Sequence, residues 1–203
     1  ATGAVRDVLT REVDTFFMSG SWGDGNNWRY LPETGEVVWY TRESDWGHLY
    51  LHDLETGRRE RAITSGDWNV LTVRHIDPER RAIWFTGGGR EPGDPYFEYL
   101  YRVDMDSGDV TPLTPDSAFH EISMSPDGRW FVDEASTPTT PPVTTLRDAW
   151  TGEPVVALEQ ADIGRLAETP WRPPVPFTVK ARDGETDLYG LMFVPSSLDT
   201  TRL

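Results

Sequence analysis

Cysteine is absent from the 203 residues, and Lys180 is the single lysine. The first absence excludes a disulfide framework and any thiolate-bound metal. Positive charge is scarce as well, because 19 basic side chains face 34 acidic ones for a formal net charge of −15. A chain this acidic repels phosphate backbones, which argues against nucleic acid as a partner. No window approaches the roughly 18 uninterrupted apolar residues of a membrane-spanning helix, so no membrane span is expected. The chain does hold enough apolar matter for a core, 37% hydrophobic with 12% aromatic, so disorder is excluded. Its 18 glycines and 16 prolines are spread as regular punctuation, the pattern of many short strands.

A turn-plus-hydrophobic unit recurs at Leu49–Gly57, Leu100–Gly108 and Thr144–Gly152. Upstream of each lies another hairpin, with turns Pro32-Glu-Thr-Gly35, Asp77-Pro-Glu-Arg80 and Pro126-Asp-Gly-Arg129. The turn prolines at 32, 78 and 126 give a period in the upper forties with four β-rich runs in each. That is the signature of β-propeller blades rather than of a sandwich, and alternation of period two excludes a helical repeat. The expected fold is all-β: a partial propeller of about three four-stranded antiparallel blades, near 27–64, 68–114 and 119–159. Thr2-Gly3 with residues 4–10 has the form of a last turn and outer strand, so the propeller segment is expected to span 1–160 and to begin inside a blade. A propeller needs four or more blades to close, which suggests a slice of a longer protein.

In a four-stranded meander the first and third turns share one end. These are all tight here, whereas the connections at the other end are long: Arg42–Gly47, Gly87–Glu98, Ala135–Pro142 and Phe16–Trp28. Irregular loops gathered at one end of a rigid scaffold are where binding concentrates.

Metal or base readings of the remaining polar residues are weak. His48 and His52 on one strand would lie roughly 13 Å apart, too far for one ion. His75 and His120 sit beside turns and read as hairpin-packing or surface residues. Asp104, Asp106 and Asp109 mimic part of a calcium loop, but the glycine is misplaced and a twelfth-position glutamate is missing. Asp133-Glu134 reads as a solvated strand end, and Trp39 and Trp84 as blade-packing residues at equivalent positions. No metal and no cofactor is expected.

After residue 160 the character changes. A short, helix-compatible stretch at 161–168 runs into Trp171-Arg-Pro-Pro-Val-Pro176, an extended linker over 161–176. A longer alternating hairpin, Phe177–Gly184 into Thr186–Pro195, begins another unit over 177–203. Taken with Arg42–Leu51, Gly89–Tyr96 and Ser125–Val132, the run Pro176–Gly184 resembles the prolyl oligopeptidase family, in particular its bacterial dipeptidyl peptidase IV-like branch.

The resemblance implies that 177–203 are the first strands of an α/β-hydrolase domain. The parent would be a serine-type dipeptidyl peptidase releasing N-terminal dipeptides with proline or alanine second, its propeller gating and orienting the peptide substrate. The implied partners are that peptide, the C-terminal hydrolase domain of the same chain, and a second copy in a homodimer. A periplasmic or secreted location is implied too, although no signal peptide is visible in these residues. Such an enzyme needs a G-x-S-x-G elbow, and none occurs in the 203 residues. The segment is thus expected to be inactive, with no catalytic residue of its own. The paired glutamates that hold a substrate's N-terminus in this family are not found either.

One loop, Ser19–Trp28, is rich in aromatics and amides, and by resemblance it lies near the propeller wall facing substrate. Trp22, Asn26 and Asn27 are its candidate substrate contacts. The competing reading is a non-enzymatic TolB-like propeller binding module, which has no need of the final hairpin. A small closed lectin propeller is disfavoured by the blade count.

Overall fold

In a computed structural model, residues 3–10, 12, 17 and 26–197 are described. They form three successive four-stranded antiparallel meanders, the blades expected from the repeats. Blade 1 is β1 (Trp28–Leu31), β2 (Glu36–Thr41), β3 (His48–Asp53) and β4 (Arg59–Ala62). Blade 2 is β5 (Asn69–Asp77), β6 (Ala82–Gly88), β7 (Glu98–Asp104) and β8 (Val110–Pro112). Blade 3 is β9 (Phe119–Met124), β10 (Trp130–Thr137), β11 (Thr140–Asp148) and β12 (Pro154–Gln160). A single helical turn, α1 (Gly164–Ala167), precedes a separate hairpin of β13 (Val175–Lys180) and β14 (Asp187–Met192). No helix among the described residues is long and apolar enough to cross a membrane.

Period-two alternation explains how the blades stack. Blade 2 lies between the others, and its second strand β6 is buried along its whole length. Ile83 and Phe85 turn toward Val38, Tyr40, Leu49 and Leu51 of blade 1. Ala82 and Trp84, one residue out of phase, turn toward Ile122, Phe131 and Ala149 of blade 3. Burying a large side chain of this kind stabilises by about 2–3 kcal/mol over exposure. Trp39 and Trp84 are not equivalent, contrary to the sequence pattern. Trp39 pairs with Tyr50, three residues before Asp53, while Trp84 pairs with Arg102, two before Asp104. This one-residue shift puts the two rings on opposite faces of their blades: Trp39 lies with Val8 and Leu9, whereas Trp84 faces blade 3.

The third turn of every blade has one construction, written in the sequence as Asp-x-x-Ser/Thr-Gly. Asp53 Oδ1 accepts from Thr56 N at 2.7 Å, Asp104 Oδ1 from Ser107 N at 2.8 Å, and Asp148 Oδ1 from Thr151 N at 2.8 Å. These donated bonds hold all three carboxyls below the usual carboxylate range. The glycine then donates back to its own aspartate's carbonyl, at 2.9 Å in each blade. Asp104, Asp106 and Asp109 are accounted for by such a turn. Asp106 pairs with Arg61 and Arg81, and Asp109 accepts from Ser107 Oγ at 2.8 Å.

Gly57, Gly108 and Gly152 have φ of 68°, 77° and 78°, the left-handed region that disfavours a Cβ. Each also abuts a backbone carbonyl at the outer edge of what precedes it: Val8, Ile63 and Leu113 respectively. A Cβ on Gly152 would lie 2.5 Å from the Leu113 oxygen. The turn glycine is therefore an inter-blade contact as well as a conformational necessity.

Residues 4–10 fill the outer-edge position without forming the expected strand. Val8 stands against Gly57, and Arg6 donates to the carbonyls of Leu54 (3.1 Å) and Glu55, but no ladder forms. An outer strand pairs with the third strand of its own blade, and the described strands are all engaged in their own sheets. The expected irregular loop 135–142 is also different. Strands β10 and β11 run through it to a two-residue turn at Pro138-Thr139, and the prolines 141 and 142, which lack N–H donors, sit beside a register shift between Ala135 and Thr137.

Histidines 48 and 52 are buried structural groups. His48 Nε2 donates to the Gly66 carbonyl (2.8 Å) and Nδ1 meets Thr64 Oγ1 (3.0 Å). Burial pushes the His48 pKa down, keeping the ring neutral. His52 Nδ1 donates to the Gly57 carbonyl at 3.1 Å.

Replacing Gly152 with alanine forces both a left-handed alanine and a clash with the Leu113 carbonyl. The expected loss is about 2–4 kcal/mol in urea unfolding. Alanine at Gly184, whose φ is 74° with nothing within 4 Å of the added methyl, carries only the conformational part, about 1–2 kcal/mol.

Candidate functional site

The first and third turns of each blade share one end, and at the other lie the long β6–β7 connection and the short β10–β11 turn. There a groove of about 470 Å³ opens between blades 2 and 3 and the C-terminal hairpin. Its walls are Tyr96 and Phe97 from the β6–β7 loop, Phe119 at the start of β9, Pro138 at the β10–β11 turn, and Tyr189 and Leu191 of β14.

Each wall is positioned by local chemistry. In the β6–β7 loop, Asp94 accepts from Tyr96 N through its carboxylate (2.9 Å) and from Phe97 N through its carbonyl (3.1 Å), an Asx-type turn that stands Tyr96 out into solvent at 71% exposure. The stem of the loop is anchored inward. Tyr101 Oη donates to Glu91 Oε1 at 3.1 Å, and the Arg90 guanidinium lies over the Trp68 and Tyr101 rings at 5.7 and 5.2 Å. Burial and the Glu91 carboxylate push the Tyr101 hydroxyl well above its ordinary range, so it stays a neutral donor. On the far wall, Gly190 lets β14 pass under the Phe177 ring, where a Cβ would sit 2.6 Å from Cζ. That leaves the neighbouring Tyr189 and Leu191 on the groove.

Behind Phe119 lies a buried polar cluster that corrects one expectation and decides between two others. Asp133 is not a solvated strand end; it lies mid-strand on β10, 1% exposed. His120, also 1% exposed, takes the hairpin-packing role of the two expected for it and not the surface one. His120 Nδ1 meets Asp133 Oδ1 at 2.8 Å and its Nε2 donates to the Asp116 carbonyl at 3.0 Å. Arg147 Nε donates to Asp133 Oδ2 at 2.8 Å and its Nη1 to the Gly152 carbonyl at 3.1 Å. A carboxylate so deep requires such partners. The cluster ties β9, β10 and β11 to the Gly152 turn and fixes the root of Phe119.

The groove offers aromatic and apolar walls with one carboxylate, Asp94, which is held by its own turn. It can bind an extended apolar or aromatic segment. No group of three or more metal-ligating side chains occurs among the described residues.

Of the candidate contacts, Trp22 lies outside the described residues. Asn26 is exposed, and Asn27 is 5% exposed, its carbonyl accepting from Tyr40 N at 2.7 Å to extend the β1–β2 ladder. Neither lines the groove. Tyr96, Phe119 and Tyr189 were not singled out by sequence reasoning. The available signal was their setting, aromatic residues in or beside turns at the loop-bearing end.

The chain matches the family model described as the dipeptidyl peptidase IV (DPP IV) N-terminal region over residues 3–142. It is 26% identical over 138 residues to dipeptidyl peptidase 4 of Trichophyton equinum, covering 67% of this chain and 16% of that protein. It is 28% identical over 117 residues to dipeptidyl peptidase 4 of Arthroderma otae, covering 55% and 15%. The chain thus spans about 16% of the length of the first of these curated relatives. Among solved structures, the crystal structure named "putative dipeptidyl aminopeptidase IV" from Bacteroides ovatus matches with TM-score 0.72 and 20% identity, over 86% of this chain and 27% of that one. This last likeness speaks for the fold.

Asp133→Ala strips His120 and Arg147 of their shared buried carboxylate. The expected loss is about 3–5 kcal/mol in denaturant unfolding, and Glu134→Ala, on the exposed neighbour, is expected to change stability by less than about 0.5 kcal/mol.

Proposed function

We propose, from the premise that the chain belongs to the dipeptidyl peptidase IV N-terminal region family and so to the dipeptidyl peptidase IV-like part of the prolyl oligopeptidase family, that it is the propeller segment of a serine exopeptidase. The parent enzyme releases N-terminal dipeptides, with proline or alanine second, through a Ser-His-Asp acyl-enzyme. Residues 1–160 act as propeller, 161–176 as linker and 177–203 as the first strands of the hydrolase domain. The enzyme works in the periplasm or outside the cell.

The observation that carries the reading is the groove itself. Propeller loops and the C-terminal hairpin line one cavity, the arrangement expected if a peptide is oriented between a propeller and a catalytic domain. The hairpin also leaves Val175, Phe177, Val179, Leu188 and Met192 between 44% and 49% exposed, an apolar surface suited to burial by further strands of a hydrolase sheet. A purely binding propeller has no use for such a hairpin.

In this division of labour the 203 residues do no bond-breaking, since they contain no nucleophile elbow. They hold the peptide through Tyr96, Phe119 and Tyr189 on the described walls, and through Trp22 and Asn26 of the segment that the family resemblance sets near substrate. Contacts made equally in the ground and transition states change KM and leave kcat in place.

In the intact peptidase, Tyr96→Ala combined with Phe119→Ala is expected to raise KM for a proline-second peptide about tenfold, with kcat within about twofold. Trp22→Ala is expected to raise KM in the same direction. Steady-state kinetics on a chromogenic dipeptide amide and on a longer peptide read both numbers. Unchanged KM in the double variant with both substrates would remove the groove from peptide binding.

A further inference from the structure

Corresponding corners of the two inter-blade contacts differ in charge, and the difference exposes a second site at the tight-turn end, opposite the groove. The correspondence rests on one backbone bond, from the residue after the turn aspartate to the residue before the second strand. Leu54 N donates to Gly35 O at 2.8 Å, Met105 N to Arg81 O at 2.7 Å, and Ala149 N to Arg129 O at 3.0 Å. Gly35, Arg81 and Arg129 are therefore equivalent, as are Glu55, Asp106 and Trp150 two residues into their turns.

Between blades 1 and 2 this corner is an ion quartet. Arg81 bonds both Glu36 and Asp106, and Asp106 also takes Arg61 at 2.9 Å. These bonds hold Arg81 although its φ of 53° is left-handed, a conformation costly for a side chain with a Cβ. Between blades 2 and 3 the arginine persists as Arg129, but the acids do not. Ala82 stands in the place of Glu36, paired likewise with its turn aspartate, and Trp150 stands in the place of Asp106.

Arginines nevertheless gather there. Arg102 lies over the Trp150 ring at 3.9 Å and donates to the Trp150 carbonyl, and Arg80 lies over the same ring at 5.3 Å. Among the described residues the ion-pair partner of Arg80 is Asp77, at 3.8 Å, and the Arg80 side chain is 61% exposed. Arg129 faces the Trp130 ring at 5.7 Å and is exposed. Around them opens a polar cleft of about 410 Å³ lined by Arg80, Arg129, Trp130, Asp148 and Trp150. Its one carboxylate, Asp148, accepts through Oδ1 from the N–H groups of Trp150 and Thr151 and from the Thr151 hydroxyl, and it is also near enough to Arg129 to be stabilised by that charge.

We infer that this cleft is an anion site for a carboxylate-bearing ligand, whose oxygens pair with Arg80 and Arg129 as Glu36 and Asp106 pair with Arg81 in the neighbouring corner. Guanidinium forks suit carboxylates through paired N–H donors. The ligand's carboxylates come either from a free dicarboxylate or from an acidic peptide segment. The protein's net charge of −15 opposes anions at a distance, so binding must come from this local cluster and must weaken with salt.

The test is calorimetric titration of the protein with glutarate and with a tetraglutamate peptide at low ionic strength, monitored in parallel at the Trp150 indole N–H by NMR. The expected result is saturable binding that shifts the Trp150 signal. Binding should fall about tenfold or more when Arg80→Ala and Arg129→Ala are combined. Trp150→Asp, which rebuilds the acid of the neighbouring corner, is expected to abolish binding and leave the protein folded. Tighter binding of tetraglutamate identifies an acidic segment as occupant, and equal binding a free dicarboxylate. No saturable binding of either probe, or binding unchanged in the double variant and in Trp150→Asp, overturns the inference.

Discussion

Blade stacking in this protein depends on a turn that is both a local cap and a long-range contact. An aspartate closes the turn by accepting its amide hydrogens, which forces a left-handed residue at the fifth position, and only glycine takes that conformation without strain. The same glycine, lacking a side chain, can approach the carbonyl at the outer edge of the preceding segment, as at Val8, Ile63 and Leu113. Spacing between blades is therefore set by backbone against backbone. With that spacing fixed, β6 presents Phe85 to one neighbour and Trp84 to the other, and every residue of the strand is buried.

The two ends of the blades carry different chemistry for the same reason. At the tight-turn end the backbone path is fixed by carboxylate caps, so variation is confined to side chains, as where Ala82 replaces Glu36 and Trp150 replaces Asp106 between successive corners. At the other end the connections are free to differ in length. The β6–β7 loop grows outward, pinned at its stem by Tyr101, Glu91 and Arg90, while its tip presents Tyr96. The buried His120–Asp133–Arg147 cluster performs the corresponding task in blade 3, holding Phe119 from behind. A rigid scaffold beneath adaptable loops is the arrangement on which binding surfaces are usually built.

The blades were legible because their turns are spelled by local rules: Asp-x-x-Ser/Thr-Gly, and Pro at the first corner of a tight turn. Register was less legible. Trp39 and Trp84 look alike in sequence, yet a one-residue difference in pairing turns them to opposite faces, and nothing local to either tryptophan encodes that shift. Pro141-Pro142 argued for a loop, and the strand instead absorbed both prolines beside a bulge. Asp133 was misread because its partners, His120 and Arg147, are 13 and 14 residues away in sequence and only the sheet brings them together. The groove was legible as an end of the molecule and not as residues, since Tyr96, Phe119 and Tyr189 come from three separate segments. The family resemblance was read from the order of blades, proline-rich linker and final hairpin more than from any one motif, whereas the family model matches residues 3–142 and ends within blade 3.

The central claim is that peptide substrate lies in the loop-side groove, between the propeller and the C-terminal hairpin. Site-specific photocrosslinking tests it most directly: a benzophenone side chain at position 96 in the intact peptidase, with the same probe at position 79 in a tight turn at the opposite end. The account predicts that a neutral proline-second peptide is captured at position 96, and that capture is suppressed by excess unlabelled peptide, with none at position 79. Equal capture at both positions, or none at position 96 in an enzyme that still turns over the peptide, would contradict it.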